Sequence, residues 1–168
     1  MRILGIDPGL RKTGWGVIAK DGSKLSFLAC GTVKSDEKEA LSVRLKQLHD
    51  GLREIVASFV PDEAAVEETF VNKDARATLK LGQARGVAML AAVEAGCPVV
   101  EYTPAEIKRA VVGYGRAEKH QVQQMVTLLL GLAAPPEPFD ASDALAVAIC
   151  HAHAQMPGAP VAPARRSK

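Results

Sequence analysis

The first 35 residues alternate short apolar runs with turn signals. Arg2 to Asp7 is apolar up to its last residue and ends in Pro8-Gly9. Gly14 to Lys20 is a second run, the pair Asp21-Gly22 follows it, and Lys24 to Lys34 is a third. Asp-Gly between two apolar runs is hairpin chemistry, because both residues tolerate the positive φ that tight strand connections demand. Three strands in series are therefore predicted before any helix.

The period then changes from two to three and four. Leu41, Leu45, Leu48, Leu52, Ile55 and Phe59 recur at helical spacing, Asp36 and Glu39 make a capping arrangement ahead of them, and Pro61 closes the helix. Glu63 to Phe70 reads as a fourth strand. Asp74 caps a second helix running to about Glu94, in which Gly82 and Gly86 share one face. Glycines there cost helix propensity, so close approach of another backbone is the expected compensation. Pro98 to Tyr102 is a fifth strand. Thr103-Pro104-Ala105-Glu106 starts a third helix with a capping box and a proline at its first position. That helix ends near Gly113, another begins near Glu118, and the last runs from about Asp140 to Ala154. This last helix is apolar almost all round, so it should be buried. Residues 1–155 are expected to form one domain, and the proline- and alanine-rich stretch 156–168 a disordered tail.

The order β-β-β-α-β-α-β-α-α-α predicts an α/β fold: a five-stranded mixed sheet with helices on both faces. Composition narrows the core. Aromatics are only 4% of the 168 residues, so alanine, valine and leucine must fill it. Cys30, Cys97 and Cys150 offer no paired spacing, which points to a reducing, cytoplasmic setting. No apolar stretch is long enough to span a bilayer. The formal net charge of +2 does not by itself mark a nucleic-acid binder.

The acidic residues carry the candidate chemistry. Asp7 ends a strand expected to be buried on both faces, where a charge is costly unless paired or on a metal; Asp-Pro-Gly is equally good turn chemistry. Glu67 and Glu68 are adjacent on a strand and point to opposite faces, and alternation alone does not choose between them. Asp140 and Asp143 share a face at a helix start, where either also serves as a cap suited to the helix dipole. Taken together, four carboxylates from a strand end, a neighbouring strand and a buried helix form an oxygen donor set suited to hard divalent cations. Two such ions about 3.5–4 Å apart support phosphodiester hydrolysis.

Four blocks give a family resemblance. Leu4-Gly5-Ile6-Asp7-Pro8-Gly9 resembles the opening of the RuvC family of crossover junction endonucleases. Lys80-Leu81-Gly82-Gln83-Ala84-Arg85-Gly86, the run Val111 to Lys119, and Asp140-Ala141-Ser142-Asp143-Ala144-Leu145-Ala146 resemble its other blocks, in order, across about residues 2–154. The resemblance implies a ribonuclease H-like fold and a homodimer that nicks two symmetric strands of a four-way DNA junction. It implies Asp7, Glu67, Asp140 and Asp143 as catalytic metal ligands. Glu67 is preferred to Glu68 because it stands three residues before Phe70, as in the family pattern. It further implies two Mg²⁺ per site, with Mn²⁺ as a substitute, and the RuvA–RuvB branch-migration complex as a partner.

The middle segment, 71–120, holds eight basic residues against five acidic ones, so its positive excess exceeds that of the whole chain. Lys80, Arg85, Lys108, Arg116 and Lys119 are candidate DNA contacts from this segment. The resemblance places Lys108 and Lys119 near the metals, and gives Phe70 a base-stacking role at the junction; a lone strand-end phenylalanine is otherwise core. Most of the other Lys and Arg residues are equally consistent with ordinary solvated surface. The four histidines form no convincing zinc set. Rival functions are an ATP-binding module of actin-like type, which needs a second lobe, a non-catalytic junction binder, and a nuclease acting on RNA–DNA hybrids.

Overall fold

A computed structural model describes residues 1–71 and 73–155. The expected tail, 156–168, lies outside the described residues. The elements are β1 (Arg2–Asp7), β2 (Lys12–Asp21), β3 (Lys24–Lys34), α1 (Leu41–Phe59), β4 (Glu63–Glu67), α2 (Ala75–Glu94), β5 (Val99–Tyr102), α3 (Pro104–Val112), α4 (Lys119–Leu129) and α5 (Phe139–Ala154). The order matches the one read from the pattern, and the sheet is five-stranded and mixed as expected. Its strands run β3-β2-β1-β4-β5, antiparallel through β1 and parallel from β1 to β5.

Strand parity sorts the core into two layers. Ile3, Ile18 and Ala65 pack with residues of α3, α4 and α5 on one face. Leu4, Ile6, Val17, Ala64 and Val66 pack with α1 and α2 on the other. Successive strand residues point to opposite faces, so Gly5 and Asp7 share the α5 side with Ile3, and Glu67 shares it with Ala65.

Helix α5 is buried from Ala141 to Ala152 on nearly every position. Glycines on the strands beneath let it come this close. A Cβ on Gly5 would lie 2.0 Å from the Ala144 carbonyl oxygen, and one on Gly14 would lie 1.9 Å from that of Asp140. Gly16 is similarly blocked, by the Leu145 side chain at 2.7 Å. Farther along α5, buried His151 sits between Tyr102 and Glu63, with Nδ1 2.8 Å from the tyrosine hydroxyl and Nε2 2.5 Å from a carboxylate oxygen.

Some boundaries differ from the sequence reading. Asp36 does not cap α1: its carboxylate accepts the Lys38 amide in a local turn, and the helix starts at Leu41. Strand β4 stops at Glu67 rather than Phe70. Its last rung is the Glu68 amide on the Tyr102 carbonyl, and β5 offers no partner beyond that point. The β2–β3 turn is Gly22-Ser23, because Asp21 still pairs with Lys24. Asp74 and Thr103 cap α2 and α3 as predicted. Gly82 and Gly86 lie on the exposed side of α2 with nothing within 4 Å of where a Cβ would be, so among the described residues no other backbone compensates them. Among the described residues, no helix is long and apolar enough to cross a membrane.

Candidate active site

Asp7 and Glu67 end adjacent parallel strands, with Ile6 opposite Val66 in the register. Their shared parity points both side chains to the α5 face, and the two carboxyls are hydrogen-bonded to each other. Of the two neighbouring glutamates, Glu67 is the one that interacts with Asp7, while Glu68 also lines the cleft. The register also opposes Asp7 to Gly14, the glycine on which the backbone of Asp140 rests. The first turn of α5 is thereby held beside the end of β1.

The cleft has a volume of about 310 Å³. That admits one backbone unit of a polymer and is far too small for a duplex. Asp7, Glu67 and Asp143 line it together with Lys108 of α3, Lys119 of α4 and Phe70. Asp140, one turn before Asp143, is not part of the lining, but its charge acts on both Asp7 and Asp143.

Burial and crowding of like charges set the protonation of the site. Desolvation, followed by the charges of Glu67 and Asp143, pushes the Asp7 carboxyl up to about 9. Glu67 is also raised, by desolvation opposed by its hydrogen bond to Asp7. Desolvation raises Asp143 against the pull of Lys119. Lys119 is raised in turn, chiefly by the charge of Asp143, and its Nζ lies 3.1 Å from Asp143 Oδ2. Two buried carboxylates held this close cannot both ionise cheaply without a cation.

The donor set is all oxygen, as a hard cation requires. It is not a closed cage: among the described residues no three His, Cys, Asp or Glu side chains converge tightly enough to hold a metal. Asp140 and Asp143 are each engaged by a lysine, Lys12 at 2.7 Å and Lys119 at 3.1 Å. Neither aspartate caps α5 by a side-chain hydrogen bond, since its N-cap is Pro138, but Asp140 lies in the first turn, where its charge suits the helix dipole. Both charges also face lysines from other elements.

The other predicted contacts are dispersed. Phe70 is 60% exposed beside the cleft. Lys80 is exposed on α2, and Arg116 is exposed in the loop between α3 and α4. Arg85 does not face the cleft; its Nε donates to Glu101 Oε1 at 2.7 Å, and a second guanidinium nitrogen bonds the same oxygen. Lys12 escaped the sequence reading. The signal for it was the hairpin register, which carries the start of β2 back past the end of β1.

Comparison with known proteins places this geometry. The family described as crossover junction endodeoxyribonuclease RuvC matches residues 3–151. The RuvC of Rhizobium johnstonii is 60% identical over 156 residues, covering 91% of this chain and 90% of that protein. Thermus thermophilus RuvC has a solved structure that aligns with a TM-score of 0.82 at 39% identity, covering 90% of this chain and 93% of that one. The same protein in complex with a Holliday junction substrate aligns at 0.85, with the same identity and coverage. The chain belongs to the RuvC family of crossover junction endodeoxyribonucleases.

Proposed function

We propose that this chain is a Holliday junction resolvase, which nicks two symmetric strands of a four-way DNA junction by metal-dependent phosphodiester hydrolysis. The observation that carries the reading is the convergence of Asp7, Glu67 and Asp143 on one cleft that Lys108 and Lys119 also line. Asp7, Glu67, Asp140 and Asp143 are the proposed ligands, for two Mg²⁺ or for Mn²⁺ in their place. When bound, such ions supply an activated water and stabilise the leaving oxygen. Lys108 and Lys119 offset negative charge on the phosphate in the cleft. Phe70 presents an exposed ring where a base at the branch point is unstacked. Lys80, Arg85 and Arg116 are proposed to extend the contact along the DNA backbone, for which Arg85 has to release Glu101.

Cleavage of a synthetic four-way junction, a linear duplex and an RNA–DNA hybrid, with Mg²⁺ or EDTA, tests this reading. Mg²⁺-dependent nicking confined to the junction is expected. Asp7→Asn is expected to abolish nicking while leaving junction binding intact. Cleavage by that variant, or cleavage of the hybrid in preference to the junction, contradicts the assignment.

Two equivalent nicks call for two sites related by a two-fold axis, and so for a homodimer. The open glycine face of α2 is the proposed interface. Leu79, Leu90 and Val93 are exposed large apolar residues on the same helix, and the glycines would let a second backbone approach closely. Residues 1–155 are proposed to suffice as the catalytic unit.

A further inference from the structure

Lys12 stands on the opposite flank of Asp7 from the cleft. The cleft opens toward β4, whereas Lys12 begins β2 on the other side of β1. Its backbone is firmly placed. Thr13 Oγ1 donates to the Gly9 carbonyl at 2.9 Å and accepts from the Gly9 amide. The Arg11 carbonyl accepts from the Ser35 amide at 3.0 Å, and Lys12 itself pairs with Lys34. From this fixed root the side chain reaches Asp140, with Nζ 2.7 Å from Oδ2. The two side chains are 38% and 29% exposed, so the pair is accessible to ions and to a polymer passing the strand ends.

An ammonium 2.7 Å from Oδ2 neutralises that carboxylate as an ion pair and repels any second cation approaching it. A metal can use Asp140 fully only after Lys12 has moved off. The freed ammonium sits on a flexible four-carbon stem beside the proposed cleavage site, and a phosphate oxygen is the anion it would meet there. Lys119 differs in already lining the cleft, so its partner exchange needs little movement.

We propose that Lys12 is a transferable counter-charge: Asp140 holds it before DNA arrives, and it passes to a DNA phosphate as Asp140 takes up a divalent cation. Metal loading and DNA binding then strengthen each other by the same factor, as linkage requires. The inference rests on the proposed role of Asp140 as a metal ligand.

The test compares wild type with Lys12→Met, Lys12→Arg and Asp140→Asn, each first shown to be folded by thermal melting. Without DNA, Mn²⁺ binding is titrated by electron paramagnetic resonance. Lys12→Met is expected to bind Mn²⁺ about fivefold more tightly than wild type, the scale of a partly exposed ion pair. Junction binding is then measured with Ca²⁺ or EDTA across a salt series. In wild type Ca²⁺ should tighten binding; in Lys12→Met that gain should shrink and the salt slope should fall by about one phosphate contact. Lys12→Arg, which keeps a cation for both partners, should restore the gain. If Asp140→Asn weakens Mn²⁺ binding but Lys12→Met does not strengthen it, the Lys12 inference fails and the carboxylate site stands. If Asp140→Asn binds Mn²⁺ as wild type does, Asp140 is not a metal ligand and this inference falls, while the cleft carboxylates stand or fall with Asp7→Asn.

Discussion

Asp7 is the residue on which burial and charge crowding act hardest, and the sign of the effect is testable. Its carboxyl titrates at 3.8 when free and is pushed up to about 9 in the folded chain, by desolvation first and then by Glu67 and Asp143. The folded state therefore keeps a proton that the unfolded state releases. That contribution to stability is fully present below about pH 4 and is lost as pH rises toward 9, by linkage. The raised Glu67 and Asp143 act in the same direction. In EDTA, the melting temperature is expected to fall between pH 5 and pH 9. Asp7→Asn should flatten the fall, gaining on the order of 2 kcal/mol at the alkaline end. Saturating Mg²⁺ should have a similar effect by replacing the proton. A melting temperature independent of pH in EDTA would contradict this account. At this scale the sequence was legible in residue type but not in pairing. Alternation did not separate Glu67 from Glu68; the family spacing to Phe70 chose Glu67, and the parity with Ala65 puts its side chain on the face that α5 covers. Lys12 was invisible because nothing local to it is unusual; its role follows from a partner 128 positions away.

At the scale of elements, glycines do two opposite jobs. Gly5 and Gly14 form the floor under α5, where an added methyl would meet backbone atoms that cannot move independently of the helix. Gly14→Ala is expected to cost about 3 kcal/mol or more in chemical denaturation, and to reduce cleavage by lifting Asp140 away from Asp7. Gly82 and Gly86 face open space on α2. In a monomeric state, alanine there should stabilise the helix by about 0.5–1 kcal/mol per site. The contrast was only half legible. Periodicity gave the helices and strands in order, because core faces repeat at fixed intervals. It did not give the start of α1, where Asp36 closes a turn of its own. Nor did it show where the α2 glycines face, since a gap in propensity does not say what fills it.

The whole molecule is a sheet with the proposed metal-binding carboxylates gathered at one end and, among the described residues, an uncovered helical face on α2. If that face joins two copies, light scattering at micromolar concentration should report twice the monomer mass. Gly86→Leu should then shift the protein to monomer without loss of secondary structure. A wild-type monomer under those conditions would remove the proposed interface. The overall fold was the most legible level of all, because alternation, turn chemistry and capping pointed to one topology. Helix α5 has a further consequence at this scale. It touches all five strands and both α3 and α4, so the sheet face opposite α1 and α2 keeps its cover until α5 leaves. Its central amides should therefore exchange with deuterium only through global unfolding, at a free energy equal to that from denaturant titration. The carboxylates at its first turns would inherit that rigidity, and the frame holding the site would be as persistent as the protein itself.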